Sequence, residues 1–178
     1  MNFKIAGKKT DYTNRLSELL QHAGHNTVGE SNIDLFIYTV KPESCGQEDY
    51  KKLCENYEQC AIGLLREVNK TLPLMQDGKK RLCFITDIES SVNRTASSEN
   101  WEKSVLAACN MAIATLFNRL NPEGFTFRVF AVEDFEKENA AYAMQYFLSD
   151  RSFEEVSAKH SDENRIVMRN RQEQEIAW

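Results

Sequence analysis

The run IDLFIYTV at residues 33–40 is nearly continuous in apolar and β-branched side chains, which is the pattern of a strand buried on both faces. Such a strand needs helices above and below it, and the flanking sequence supplies them. Ahead of it, residues 3–6 read as a first short strand. Tyr12, Leu16, Leu19, Leu20 and Ala23 then recur at helical spacing, with Gly24 placed to end the helix. After it, Leu53, Tyr57, Cys60, Ala61, Leu64, Val68 and Leu72 mark the apolar stripe of a long helix that Pro73 and Gly78 terminate.

RLCFIT at 81–86 reads as a third strand, and the polar stretch 87–99 as a loop at its carboxyl end. Residues 101–120 form a helix that is apolar nearly all round, as expected of one packed against something besides its own sheet. A turn at 121–124 leads into a fourth strand, FTFRVFAV at 125–132, followed by a short aromatic-rich helix at 140–148. RIVMR at 165–169 is the candidate last strand. The alternation predicts an α/β protein: a Rossmann-like three-layer α/β/α sandwich with a reduced, mostly parallel sheet of about five strands. Residues 1–178 fit a single domain.

A net charge of -5 argues against a nucleic-acid or anionic-membrane surface, because both need clustered Lys and Arg. The longest apolar stretches, 35–40 and 105–120, are too short or too broken to span a bilayer. Lys4, Lys8 and Lys9 are followed by no apolar run of signal-peptide length, so the expected location is the cytoplasm. Cysteines 45, 54, 60, 83 and 109 are odd in number and scattered, which suits free thiols in a reducing compartment. His22 and His25 form an HxxH where a helix runs out, with no Cys or acidic partner nearby, so no metal site is expected.

Two segments carry a resemblance. NPEGFTFRVFAV (121–132) is similar to the helix end, P-x-G turn and following strand of the short-chain dehydrogenase/reductase family, and CAIGLLREVNKTLPLM (60–75) to the family's helix ending in L-P-x-M. The resemblance implies a dinucleotide-binding oxidoreductase, shortened by two strand-helix units between Gly24 and Ile33. It would leave the first strand at a sheet edge unless something covers it.

The positions that the family uses are changed. Its TGxxxGxG cofactor loop falls on residues 6–13 (AGKKTDYT), which keeps Gly7 and puts Asp11 and Thr13 where the later glycines would let backbone amides approach a pyrophosphate. A carboxylate about 4 Å from a phosphate oxygen costs roughly 4 kcal/mol at an effective dielectric of 20. Lys8 and Lys9 are the residues that could offset it. The N-N-A-G motif aligns with residues 38–41 (YTVK), the family's catalytic Asn with Cys60, its Ser with Asp87, and its Y-x-x-x-K pair with Trp101 and Val105. Asp134 and Phe135 take the place of a later P-G. Indole cannot exchange a proton as a phenol does, and valine supplies no cation to lower a pKa. Lys103, two positions after Trp101, should point nearly the opposite way.

The expected function is therefore a catalytically inactive relative of the family, acting as an interaction, regulatory or structural subunit. No cofactor is expected, and NAD(P) if any. The resemblance implies a homo-oligomer through helices 50–72 and 101–120, and the apolar character of the second supports that pairing. The alternative is an NAD(P)- or small-molecule-binding protein with residual or altered activity, its cleft lined by Asp87, Glu89, Ser90, Trp101 and Asp134. A third possibility is different chemistry from Asp87 paired with Glu89 or Glu102.

Overall fold

A computed structural model describes residues 1–29, 32–46, 48–91, 101–149 and 165–178. The chain alternates strand and helix: β1 (Asn2–Gly7), α1 (Asp11–His22), β2 (Asn26–Thr27), β3 (Leu35–Thr39), α2 (Tyr50–Asn56), α3 (Gly63–Thr71), β4 (Arg81–Asp87), α4 (Glu102–Leu120), β5 (Thr126–Val132), α5 (Ala140–Leu148), β6 (Met168–Arg169) and β7 (Glu175–Ile176). The strands form one sheet in the order β2-β1-β3-β4-β5-β6-β7, parallel throughout except for β7, which runs antiparallel to β6.

The sheet has seven strands where the sequence suggested about five. The two additions, β2 and β7, are two residues each, too short to show a hydrophobic period. β2 answers the question of the exposed first strand: its register Asn2↔Asn26 and Phe3↔Thr27 covers the outer edge of β1. The final strand is also shorter than the RIVMR run, since only Met168 and Arg169 pair with β5. The expected loop 87–99 begins as a single 3₁₀ turn, Ile88–Ser90, and residues 92–100 of it lie outside the described residues.

Side-chain alternation divides the core between the two sheet faces. Phe3, Leu35, Ile37, Cys83, Ile85, Phe130 and Val132 meet Tyr12, Leu16 and Leu20 of α1 and Ala143 and Phe147 of α5. Phe36, Tyr38, Leu82, Phe84, Phe127 and Val129 meet Leu64 and Val68 of α3 and Val105, Cys109, Ile113 and Leu116 of α4. This is the three-layer α/β/α sandwich.

The helix expected over 50–72 is continuous but not uniform. Residues Tyr57–Ile62, between α2 and α3, are π-helical, and Leu72–Met75 tightens to 3₁₀ as Pro73 ends the run. A π turn widens the ladder and turns carbonyls away from their intrahelical partners. The Tyr38 hydroxyl reaches the carbonyl of Gln59 at 2.8 Å. Gly63 makes room for it, because a Cβ there would stand 3.0 Å from that hydroxyl.

Candidate functional site at the carboxyl ends of the strands

In an open parallel sheet, ligands are taken up beyond the carboxyl ends of the central strands. Here that edge is set by the register Gly7↔Thr39 and Thr39↔Ile85. Gly7 has φ +88, and a Cβ on it would come within 2.4 Å of the Thr39 carbonyl oxygen. The chain can leave β1 this close to β3 only without a side chain. The Lys8 amide then donates to the Thr39 carbonyl at 3.2 Å.

The following residues begin α1. Thr10 is the N-cap, and Thr13 completes a reciprocal box: the Thr13 amide donates to Thr10 Oγ1 at 3.2 Å and the Thr10 amide to Thr13 Oγ1 at 2.9 Å. Thr13 is thus a buried capping residue in place of bare backbone. Asp11 stands exposed in the first turn, where its charge suits the helix dipole. It lines a cleft of about 710 Å³ between α1 and the start of α5, with Asn14, Arg15, Glu18, Lys137 and Glu138.

Lys8 is ion-paired to Glu43, which also receives Lys52. Hydrogen bonds from Lys52 first, then Lys8, hold the Glu43 carboxyl at about 2, below the usual carboxylate range. The backbone of Glu43 is clamped by Asn56, whose Oδ1 accepts from the Glu43 amide at 2.9 Å while its Nδ2 donates to the Glu43 carbonyl at 2.7 Å. Glu43 and Asn56 were not singled out in the sequence, because residues 41–49 have no period and a lone Asn on a helix carries no signal. Lys9 is exposed. Lys41 lies with its ammonium 4.6 Å from the centre of the Phe135 ring.

Cys60 lies in the π-helical turn, buried, and burial pushes its thiol up to about 11. Val105 is 0% exposed, packed in the core beneath α4. Trp101 is partly exposed just ahead of that helix, its ring 6.4 Å from Tyr50. Lys103, expected to point nearly opposite to Trp101, carries its Nζ to Glu89 at 3.1 Å, at the end of β4.

Asp87 ends β4 half-buried, accepting from the Glu89 amide at 2.8 Å. Burial raises its pKa, with the charges of Glu89 and Glu102 adding to the effect. Ser90 turns into the core, where its Oγ is 3.5 Å from Met168 Sδ and its carbonyl accepts from Asn110 Nδ2 at 3.0 Å. Asp134 caps its own turn, accepting from Asn139 Nδ2 at 2.6 Å. The five residues expected to line one cleft therefore divide: Asp87 and Glu89 lie together at the end of β4, Trp101 packs on Tyr50, Ser90 is internal, and Asp134 serves the turn after β5. Asn110 is a further buried polar group, concealed in the sequence by the apolar run around it.

No group of His, Cys, Asp or Glu among the described residues could hold a metal ion. His25 Nδ1 is 3.3 Å from the Met1 amine, and burial with that neighbouring charge lowers its pKa. All five cysteines are free thiols.

No family model matches the sequence, and no curated protein matches it as a relative. Solved structures do match in shape. A carbonyl reductase from Pseudomonas aeruginosa PAO1 aligns with a TM-score of 0.73 at 12% identity, covering 99% of this chain and 99% of its own. The chain has a short-chain dehydrogenase/reductase-like fold. A putative short-chain dehydrogenase/reductase from Burkholderia multivorans, with bound NADP, aligns at 0.67 and 9% identity over 99% of both chains. The carbonyl reductase Sniffer of D. melanogaster aligns at 0.64 and 10% identity, covering 99% of this chain and 87% of its own. Among the described residues no helix is long and apolar enough to cross a membrane.

Proposed function

We propose that this chain is a short-chain dehydrogenase/reductase scaffold without hydride-transfer activity that serves as a homo-oligomeric interaction or structural subunit. The observation that carries this reading is the pair Trp101 and Val105, an indole followed one helical turn later by a valine with 0% exposure. Hydride transfer to a carbonyl needs a proton donor within hydrogen-bond reach of the substrate oxygen. Neither residue can donate, and Cys60, at the position equated with the family's asparagine, is a buried neutral thiol. Thr13 and Asp11, where bare backbone would approach a pyrophosphate, remove the second requirement.

The oligomeric part rests on where apolar surface is left. Tyr50, Ile62, Leu65, Trp101 and Met111 are exposed large hydrophobic residues, all on or beside the segments 50–72 and 101–120. Exposed apolar residues of this kind along two neighbouring segments fit a self-complementary interface with a second copy.

The second reading, NAD(P) or small-molecule binding with altered activity, is favoured by Asp87, whose raised pKa gives the edge a carboxyl that holds its proton more tightly than usual. The Burkholderia protein's bound NADP makes NADPH the first cofactor to try. Steady-state assays with NADH and NADPH against aldehydes and ketones decide between the readings. No oxidation above the uncatalysed rate is expected, and turnover that vanishes in Asp87→Asn would establish the second reading instead.

A further inference from the structure

β3 ends at Thr39, and residues 40–46 continue from it toward α2 without regular secondary structure. The main chain of this segment is held by side chains of the helical layer. Lys41 hydrogen-bonds the Cys60 sulfur through its backbone, the Glu43 amide donates to Asn56 Oδ1 at 2.9 Å, and the Cys45 amide donates to Glu102 Oε1 at 2.9 Å. A spacing of two is that of an extended chain, whose alternate residues face one side. Between these residues, Pro42 has no N–H and Ser44 is exposed.

Two kinds of tie at Glu43 differ in strength. Asn56, buried at the end of α2, grips the Glu43 main chain at both its polar groups, its Nδ2 donating to the carbonyl at 2.7 Å. The Glu43 carboxylate is shared by Lys8, just past β1, and Lys52 of α2. The Lys8 and Glu43 side chains are each 39% exposed, so these ion pairs are individually weak and screened by salt. The buried amide is the stronger tie.

Every residue of 41–46 is partly or fully exposed, and none belongs to either hydrophobic core. A segment that buries so little apolar surface sits at the low end of local stability. Val40, one residue earlier, is buried, and its amide donates to the Ile85 carbonyl at 2.8 Å. The boundary between chain fixed by the sheet and chain fixed by side chains alone therefore falls between Val40 and Lys41.

We propose that residues 41–46 are a strap that opens and closes as one unit against α2 and the start of α4 while the sheet stays intact, baring Asn56 and Cys60 when open. Residue-resolved amide hydrogen exchange of the full chain by NMR tests it. The Glu43 and Cys45 amides should exchange through a common opening, faster than the Val40 amide. Glu43→Gln should speed both by the same factor, roughly threefold to tenfold, with Val40 unchanged. Asn56→Ala should speed Cys45 by about tenfold or more, although the bond from that amide to Glu102 is untouched. Sodium chloride at about 1 M should speed both amides in the native chain and neither in Glu43→Gln.

A Cys45 amide unmoved by Glu43→Gln overturns the proposal, since the ties would then act one by one. Equal acceleration at Val40 overturns it too, by showing that β3 loosens with the segment. If Asn56→Ala does not fold, Glu43→Gln decides alone, because it changes only a side chain that already meets solvent.

Discussion

The phenol of Tyr38, on β3, donates a 2.8 Å hydrogen bond to the main-chain carbonyl of Gln59 in the π-helical turn. It occupies the carbonyl at the place where the fold's helix opens, and so joins the central strand to the helix that carries Cys60.

Tyr38→Phe removes the donor and leaves that carbonyl half-buried without it, at a cost of about 1–2 kcal/mol. The same variant changes the response to alkali. Burial raises the Tyr38 pKa above the unfolded value of about 10, so its contribution is present below that pH and lost as the pH rises past it. Cys60, raised to about 11 by burial, acts with the same sign from its lower unfolded value upward. Urea unfolding between neutral pH and pH ~11 should show falling stability in the native protein and a shallower fall in Tyr38→Phe.

At Gly7, a methyl group meets the Thr39 carbonyl oxygen at 2.4 Å on backbone of φ +88. Gly7→Ala is expected to destabilise by more than about 2 kcal/mol, read as a lowered Tm. Gly24→Ala has the same sign of φ (+82) but open space around it, and should cost about 1 kcal/mol. Equal losses at the two sites would show that strand contact at Gly7 does not matter.

The central elements were legible in the sequence because burial on both faces leaves a mark. Every residue of β3 is buried, and IDLFIYTV reads accordingly. The edges left no mark: β2 and β7 hold two residues each, and their place is set by pairing with β1 and β6 rather than by their own composition. At the site, Gly7 was legible as the kept glycine of the loop, whereas the Thr10–Thr13 capping box emerges only in the structure. The Tyr38 to Gln59 bond and the Glu43 clamp join residues 21 and 13 positions apart, the first through a π turn that no hydrophobic period announces.

Thiol reactivity reports the packing around the proposed relic site. Cys54 is exposed, Cys45 half-buried, and Cys60, Cys83 and Cys109 buried, with burial holding the Cys60 and Cys109 thiols protonated. A disulfide reagent at neutral pH should modify Cys54 first, Cys45 more slowly, and the other three only on unfolding. Rapid modification of Cys60 in the folded protein, located by peptide mass, would mean an open site.

For the oligomer, Leu65→Glu with Met111→Glu places two carboxylates on the apolar face at positions already exposed to solvent. The fold should survive, with far-UV circular dichroism unchanged, while the mass by light scattering falls to that of one chain. Phe117 is unsuitable for this purpose, since its ring packs edge-on against Phe127 at 5.4 Å. An unaltered mass in the double variant would place the interface elsewhere.

Trp101 stands where a working site would need its phenol, and Trp178 is the only other tryptophan. In Trp178→Phe, energy transfer from Trp101 to reduced nicotinamide, followed during titration with NADPH, reports directly on whether that ring is ever seated beside the helix. The account predicts quenching that rises without saturation and equally with free tryptophan as the donor. Saturable, micromolar transfer from Trp101 would contradict it.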